Sequence, residues 1–198
     1  GREDEILKCI SCDECRFRLV QGLPVRCLIN PQLGREGWLH EPEPAATSRK
    51  VMVVGGGPAG MEVARVAALR GHQVSLYESK PALGGGQLTL AEAPPHKEKL
   101  PWLGEYLTRQ LERLPVKVHA ESPVDSATVE REAPDVLVVA TGAVPVIPDI
   151  PGIDGENVVT AFRVLEGELA TEGKQVVVLG GRRVGTETAE FLTLRGAS

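Results

Sequence analysis

One stretch constrains this chain more than any other: Lys50 to Glu78, reading KVMVVGGGPAGMEVARVAALRGHQVSLYE. Val51-Met52-Val53-Val54 is a short continuous apolar run of the kind that fills a buried parallel strand. Gly55, Gly57 and Gly60 follow at G-x-G-x-x-G spacing. From Pro58 the pattern turns helical, with Met61, Ala64, Val66, Ala67, Ala68 and Leu69 carrying the apolar load and Gly71 ending it. Gln73 to Tyr77 reads as a second strand that closes on Glu78. Such a strand, turn, helix and strand predict an α/β fold with a parallel sheet of Rossmann-like, dinucleotide-binding type. In that role Gly55 permits the tight turn, Gly57 lets the backbone approach a pyrophosphate, and Gly60 lets helix and strand pack closely. Pro58 and Ala59 open the helix, whose free N–H groups and positive dipole end face the phosphates. Glu78 would accept hydrogen bonds from a ribose, and an acid there argues against a 2′-phosphate.

The rest of the chain is read around this unit. Asp135 to Gly142, DVLVVATG, predicts another buried strand whose Thr141-Gly142 end turns tightly beside a cofactor. Leu83-Gly84-Gly85-Gly86-Gln87-Leu88 is a glycine-rich loop able to bring backbone amides to the same ligand. Leu103, Leu107, Leu111 and Leu114 repeat on one helical face, with Pro101 early in that helix. Val116-Lys117-Val118 predicts a short strand, and Asp125 to Glu132 a connecting helix or loop.

Pro145, Pro148, Pro151 and Gly152 then mark a crossing into a second, similar unit. Gln175 to Leu179 predicts a second buried strand, followed by GGRRVGTETAEFLTLRG. Gly180 and Gly185 hold the outer places of the fingerprint, but Arg182 stands where the second glycine belongs. Arginine there loses the close backbone approach while offering its guanidinium to a phosphate. Two readings follow: a nicotinamide dinucleotide site, or a domain kept for packing.

All four cysteines, Cys9, Cys12, Cys15 and Cys27, lie in the N-terminal segment at C-x2-C-x2-C-x11-C spacing. Three thiolates at intervals of three and one remote thiolate suit the corners of a [4Fe–4S] cluster. A structural zinc site and two disulfides are the alternatives, although zinc sites of four cysteines usually show two separate C-x-x-C pairs. Trp38 is read as a packing residue, and residues 41–50 as a polar linker rich in Pro and Ala.

Composition sets the outer bounds. Aromatic residues make up only 4% of the 198, and net charge is −5, which disfavours nucleic acid as a partner. No apolar run reaches membrane-spanning length and no signal peptide is visible, so a cytoplasmic protein without a membrane partner is expected. Both ends look cut, and a piece of a longer protein is expected. His40, His72, His96 and His119 stand outside any triad or metal spacing, so surface or loop roles are expected.

Taken together, CISCDEC, the run Cys27-Leu28-Ile29-Asn30-Pro31 with Gly34 and Glu36, VVGGGPAGMEVARVAALRGHQVSLYE, LGGGQL, VVATGAVP and VVVLGGRRVGTETAEF resemble the iron–sulfur flavoprotein family of NADH:flavin oxidoreductases. That family includes 2,4-dienoyl-CoA reductase and trimethylamine dehydrogenase. The resemblance implies a cluster segment over residues 1–45 and a glutathione-reductase-type domain for FAD or ADP over 46–150. It implies the beginning of an NAD(P)-type domain over 151–198. It implies that Cys9, Cys12, Cys15 and Cys27 ligate the cluster. Gly55, Gly57, Pro58, Ala59, Gly60, Glu78, Gly86, Gln87 and Leu88 would hold the adenine dinucleotide, with Thr141 and Gly142 at its border. Gly180, Arg182 and Gly185 would face the nicotinamide nucleotide. An FMN-binding TIM barrel, absent here, would act on a small-molecule substrate. In reductases of the family, hydride passes from NAD(P)H to FAD and electrons continue through the cluster to FMN. In the amine dehydrogenases the flow runs from FMN to the cluster, and ADP takes the place of FAD. No residue of this chain is assigned to substrate chemistry, and oligomeric state is not written in it.

Overall fold

The structure is a computed structural model that describes residues 3–39 and 42–198. It divides into two compact units, residues 1–85 with 99–141 and residues 86–98 with 142–198.

In the first unit the apolar runs become four parallel strands: β1 (Lys50–Val54), β2 (Gln73–Tyr77), β3 (Val116–His119) and β4 (Val136–Val139). Their order is β3-β2-β1-β4, with Val51 opposite Val74 on one side and Val136 on the other. The chain therefore runs outward from β1 through β2 to β3, then returns to the far side of β1. Helix α2 (Pro58–Leu69) joins β1 to β2, and α4 (Pro101–Glu112) precedes β3. Helix α1 (Glu14–Val20) lies in the cysteine segment, and α3 (Gln87–Glu92) belongs to the second unit.

Alternation decides the core. Val51 and Val53 on β1 and Val74 and Leu76 on β2 share the face covered by Met61, Ala64 and Ala68 of α2 and Leu107 and Leu111 of α4. Met52 points to the opposite face and is also buried, as a strand covered on both sides requires. The leucine periodicity of α4 holds, and Pro101 occupies its first turn, where a missing N–H costs nothing. Helix α5 (Ser126–Glu132) starts at Asp125, whose carboxylate accepts from Thr128 N at 2.8 Å.

Two expected buried strands differ from their reading. β4 forms, but Val139 is 69% exposed, because β4 is the sheet's edge and one of its faces is uncovered among the described residues. Gln175 to Leu179 forms no strand, and Val177 and Leu179 are 87% and 71% exposed. A strand needs ladder partners, and here Val176 N reaches only Ser198 O, with Ser198 N on Lys174 O. The second unit's core is correspondingly small: Val164 of α6 (Ala161–Leu165) against Phe191 and Leu192 of α7 (Arg183–Leu194). Among the described residues no helix is long and apolar enough to cross a membrane.

Candidate dinucleotide site and cysteine loop

The strand order reverses beside β1, and the carboxyl ends of the strands at such a reversal are the place where open α/β sheets bind ligands. Gly55 sits there with φ 111°, and a Cβ on it would come within 2.2 Å of Ala140 O. A Cβ on Gly60 would come within 1.9 Å of Gly55 O. The fold itself therefore demands these two glycines. Gly57 is different. It has extended backbone at φ −74°, ψ 178°, and a Cβ there would meet nothing of the protein within 4 Å. Folding gives no reason for its missing side chain; a ligand approaching the start of α2 would. No side chain caps that first turn either, which leaves its amides available to an anion.

Glu78 lies one residue beyond β2. Its Oε2 accepts from Gly56 N at 2.7 Å, and its Oε1 from Lys80 N at 2.8 Å and Ser79 Oγ at 3.1 Å. Burial opposes its ionisation, but the backbone N–H groups of Lys80 and Gly56 and the Ser79 contacts outweigh it. Together they hold the carboxyl below its ordinary value. An ionised Glu78 with an oxygen lone pair to spare is an acceptor for a ribose hydroxyl. Sequence reasoning missed Gly56, whose amide anchors Glu78 and whose Cβ would strike Leu83 and Glu78 at 2.6 and 2.9 Å. The unbroken triplet Gly55-Gly56-Gly57 was the available signal. Thr141 follows β4 in this same unit.

Gly86, Gln87, Leu88 and Gly142 belong to the second unit. Gly86, at φ 66°, precedes α3, and the Gln87 side-chain amide donates to Ala143 O beside Gly142. Gly180 has φ 116° and a Cβ on Gly185 would lie 1.7 Å from Gly180 O, so the backbone of the second turn repeats that of the first, although a Cβ on Gly180 would meet nothing within 4 Å. Arg182 takes the place of Gly57 with φ −88°, ψ −178°, which any residue adopts. The arginine leaves the turn intact and alters only the room in front of α7.

The cysteine loop packs on the first unit. All four thiols are free; Cys9 and Cys15 are exposed, Cys12 and Cys27 half-buried. Ser11 N donates to Cys9 Sγ at 3.4 Å, and Ser11 and Asp13 both adopt left-handed backbone, at φ 56° and 61°. Non-glycine residues rarely do so, and successive turned amides of this kind line anion and cluster sites. Among the described residues no three His, Cys, Asp or Glu side chains converge on a point that one metal ion could occupy. Four free thiols, two on the loop before α1, one in its first turn and one beyond it, are a donor set of the chemistry that a [4Fe–4S] cluster would take. Arg18 Nε ties α1 to Pro24 O at 2.7 Å, fastening the strand of chain that leads to Cys27.

The described histidines stand apart from the cysteines in other contacts. His72 Nδ1 accepts from Arg49 N at 3.2 Å, His119 stacks on Tyr77 at 4.4 Å between ring centroids, and His96 is exposed. His40 lies outside the described residues. Trp38, expected to pack, is 69% exposed, with the Arg35 guanidinium 5.6 Å from its ring centroid. The cation takes the place of an apolar partner.

A parallel sheet with a glycine turn at its point of reversal and an acid beyond the second strand defines a dinucleotide-binding protein of the doubly wound class. More narrowly, the chain belongs to the pyridine nucleotide-disulphide oxidoreductase family, whose pattern matches residues 49–198. It is 46% identical over 202 residues to an NADH oxidase of Thermoanaerobacter brockii, covering 100% of this chain and 31% of that protein. A solved 2-naphthoyl-CoA reductase matches at TM-score 0.91 and 35% identity, over 98% of this chain and 29% of the other. Histamine dehydrogenase from Rhizobium sp. 4-9 matches at TM-score 0.87 and 27% identity, over 100% and 33%. The chain thus spans about three tenths of the length of the curated relatives it matches. Its relatives are oxidoreductases on both sides of the resemblance drawn from its motifs, reductases and amine dehydrogenases alike.

Proposed function

We propose that this chain is the electron-transfer part of a flavin-linked iron–sulfur oxidoreductase. The observation that carries the reading is Gly57: a glycine the fold does not need, at an uncapped helix start, beside an ionised acid. Gly55, Gly57, Pro58, Ala59, Gly60, Glu78 and Thr141 form its adenine dinucleotide site, with Gly86, Gln87, Leu88 and Gly142 as further binding residues. Cys9, Cys12, Cys15 and Cys27 ligate one [4Fe–4S] cluster. The flavin and the cluster supply the redox chemistry; the protein's share is orientation, spacing and electrostatics. Residues 1–45, 46–150 and 151–198 are then the cluster segment, the FAD or ADP domain and the beginning of an NAD(P)-type domain containing Gly180, Arg182 and Gly185.

Phe17, Leu19, Val20, Leu23 and Leu28 leave apolar side chains exposed around the cysteines. Such a patch supports a covering partner, which we assign to an FMN-binding barrel that acts on the small-molecule substrate. Four free thiols favour the cytoplasm. Arg182 favours a second reading, in which the first site holds ADP as a structural ligand and no nicotinamide binds in front of α7.

The test is an absorbance spectrum of the anaerobically purified protein, with iron, sulfide and nucleotide released from the same sample. About four iron and four sulfide with FAD, bleached by NAD(P)H, is the expected result. Cluster with ADP and no FAD selects the second reading. Neither nucleotide nor iron overturns both.

A further inference from the structure

Three contacts fasten the cysteine segment to α4 and the turn before it, all within the first unit. Arg113 pairs with Glu5 at 3.1 Å, the Lys8 ammonium lies 5.5 Å from the Trp102 ring centroid, and Lys99 Nζ donates to Ser11 Oγ at 2.8 Å. The third differs from the other two in where it lands. Ser11 stands between Cys9 and Cys12, in left-handed backbone, with its own amide on Cys9 Sγ. One hydrogen bond therefore connects a cation of the dinucleotide unit to the residue that orients a donor toward a cysteine sulfur.

The loop's acids are engaged with its own arginines, Asp13 with Arg16 at 3.9 Å and Glu14 with Arg18 at 3.9 Å. Among the described residues no carboxylate pairs with Lys99.

We propose that Lys99 is a positioning residue that sets the reduction potential of the cluster held by Cys9, Cys12, Cys15 and Cys27. The proposal rests on the cluster reading given above. Reduction by one electron adds a negative charge to a group already bearing four thiolates, so a fixed cation stabilises the reduced form more than the oxidised one. Hydrogen bonding to the ligand sulfurs acts in the same sense. Lys99 supplies the first effect directly and the second by holding Ser11, whose N–H faces Cys9.

The experiment is a dithionite titration of the full protein followed by electron paramagnetic resonance, with iron and sulfide measured in each sample. Lys99→Met is expected to move the midpoint to a more negative potential. At the wild-type midpoint the reduced-to-oxidised ratio should fall by about threefold or more, where a tenfold change corresponds to 59 mV. Lys99→Arg should stay near wild type, since it keeps both charge and donor. Equal iron content with an unshifted midpoint in Lys99→Met overturns the proposal. If Lys99→Met holds no iron, the midpoint is read from Lys99→Gln, which removes the charge and keeps a polar side chain beside Ser11. A shift in the same direction supports the proposal and no shift overturns it. Wild-type protein without iron overturns the cluster reading itself, a different result from either.

Discussion

Three glycines at Gly55, Gly57 and Gly60 look equivalent in a motif and are physically unlike. Gly60→Ala drives a methyl group into Gly55 O and should cost about 1–3 kcal/mol of stability, read by denaturant unfolding. Gly57→Ala meets nothing in the protein and should leave stability within about 1 kcal/mol of wild type. Its effect should appear in nucleotide affinity, with a loss of about tenfold or more by calorimetry, equivalent to about 1.4 kcal/mol. Equal losses of stability for both would mean that the room at Gly57 has no ligand. Glu78 gives a second residue-scale test. Its folded pKa is depressed, so its contribution is present above the ordinary carboxylate value and is lost as pH falls through the lower folded value. Nucleotide affinity and stability should both decline on acidification below about pH 4.5, the ordinary value of such a carboxyl. Glu78→Gln should flatten that decline. The glycines and Glu78 were legible in the sequence because a turn needing positive φ and a strand-ending acid leave a fixed spacing. Gly56 and Lys80 were not, because their part is played by backbone amides that every residue type carries.

Among the elements, those with strong periodicity emerged where expected: α2, α4 and the strands β1 and β2 all bury the face that alternation assigns. Leu76→Ala on β2 should therefore cost about 2–5 kcal/mol, since Leu76 is fully enclosed and its neighbours come from three elements. Gln175 to Leu179 carries an equally apolar pattern and forms no strand. An apolar run states what a segment would bury, and the ladder that buries it comes from other segments. Without neighbours Val177 stands in water. Hydrogen exchange of the 198-residue chain should show this, with amides of Val177 to Leu179 exchanging far faster than those of Val51 to Val54. The exposure of β4 has the same origin, since sequence shows that a strand is apolar but not that it lies at the edge. The cysteine segment sits at the other extreme. Its donor set was legible from spacing, yet the contacts that fasten it, such as Lys99 to Ser11, join residues far apart in the chain and leave no local pattern.

At the scale of the molecule, the second unit repeats the turn of the first with the same two structural glycines and a different residue between them. Gly55 and Gly180 share their φ within a few degrees, and Gly57 and Arg182 share an extended conformation that places no demand on the side chain. The consequence concerns how such a protein changes over generations. A substitution at Gly60 or Gly185 takes stability from the fold, so selection acts on it through the amount of folded chain. A substitution at Gly57 or Arg182 leaves the backbone of its turn undisturbed and changes only the room in front of the helix. Selection therefore meets such a change through what that room would hold and not through folding, and the two turns of one chain are free to diverge there.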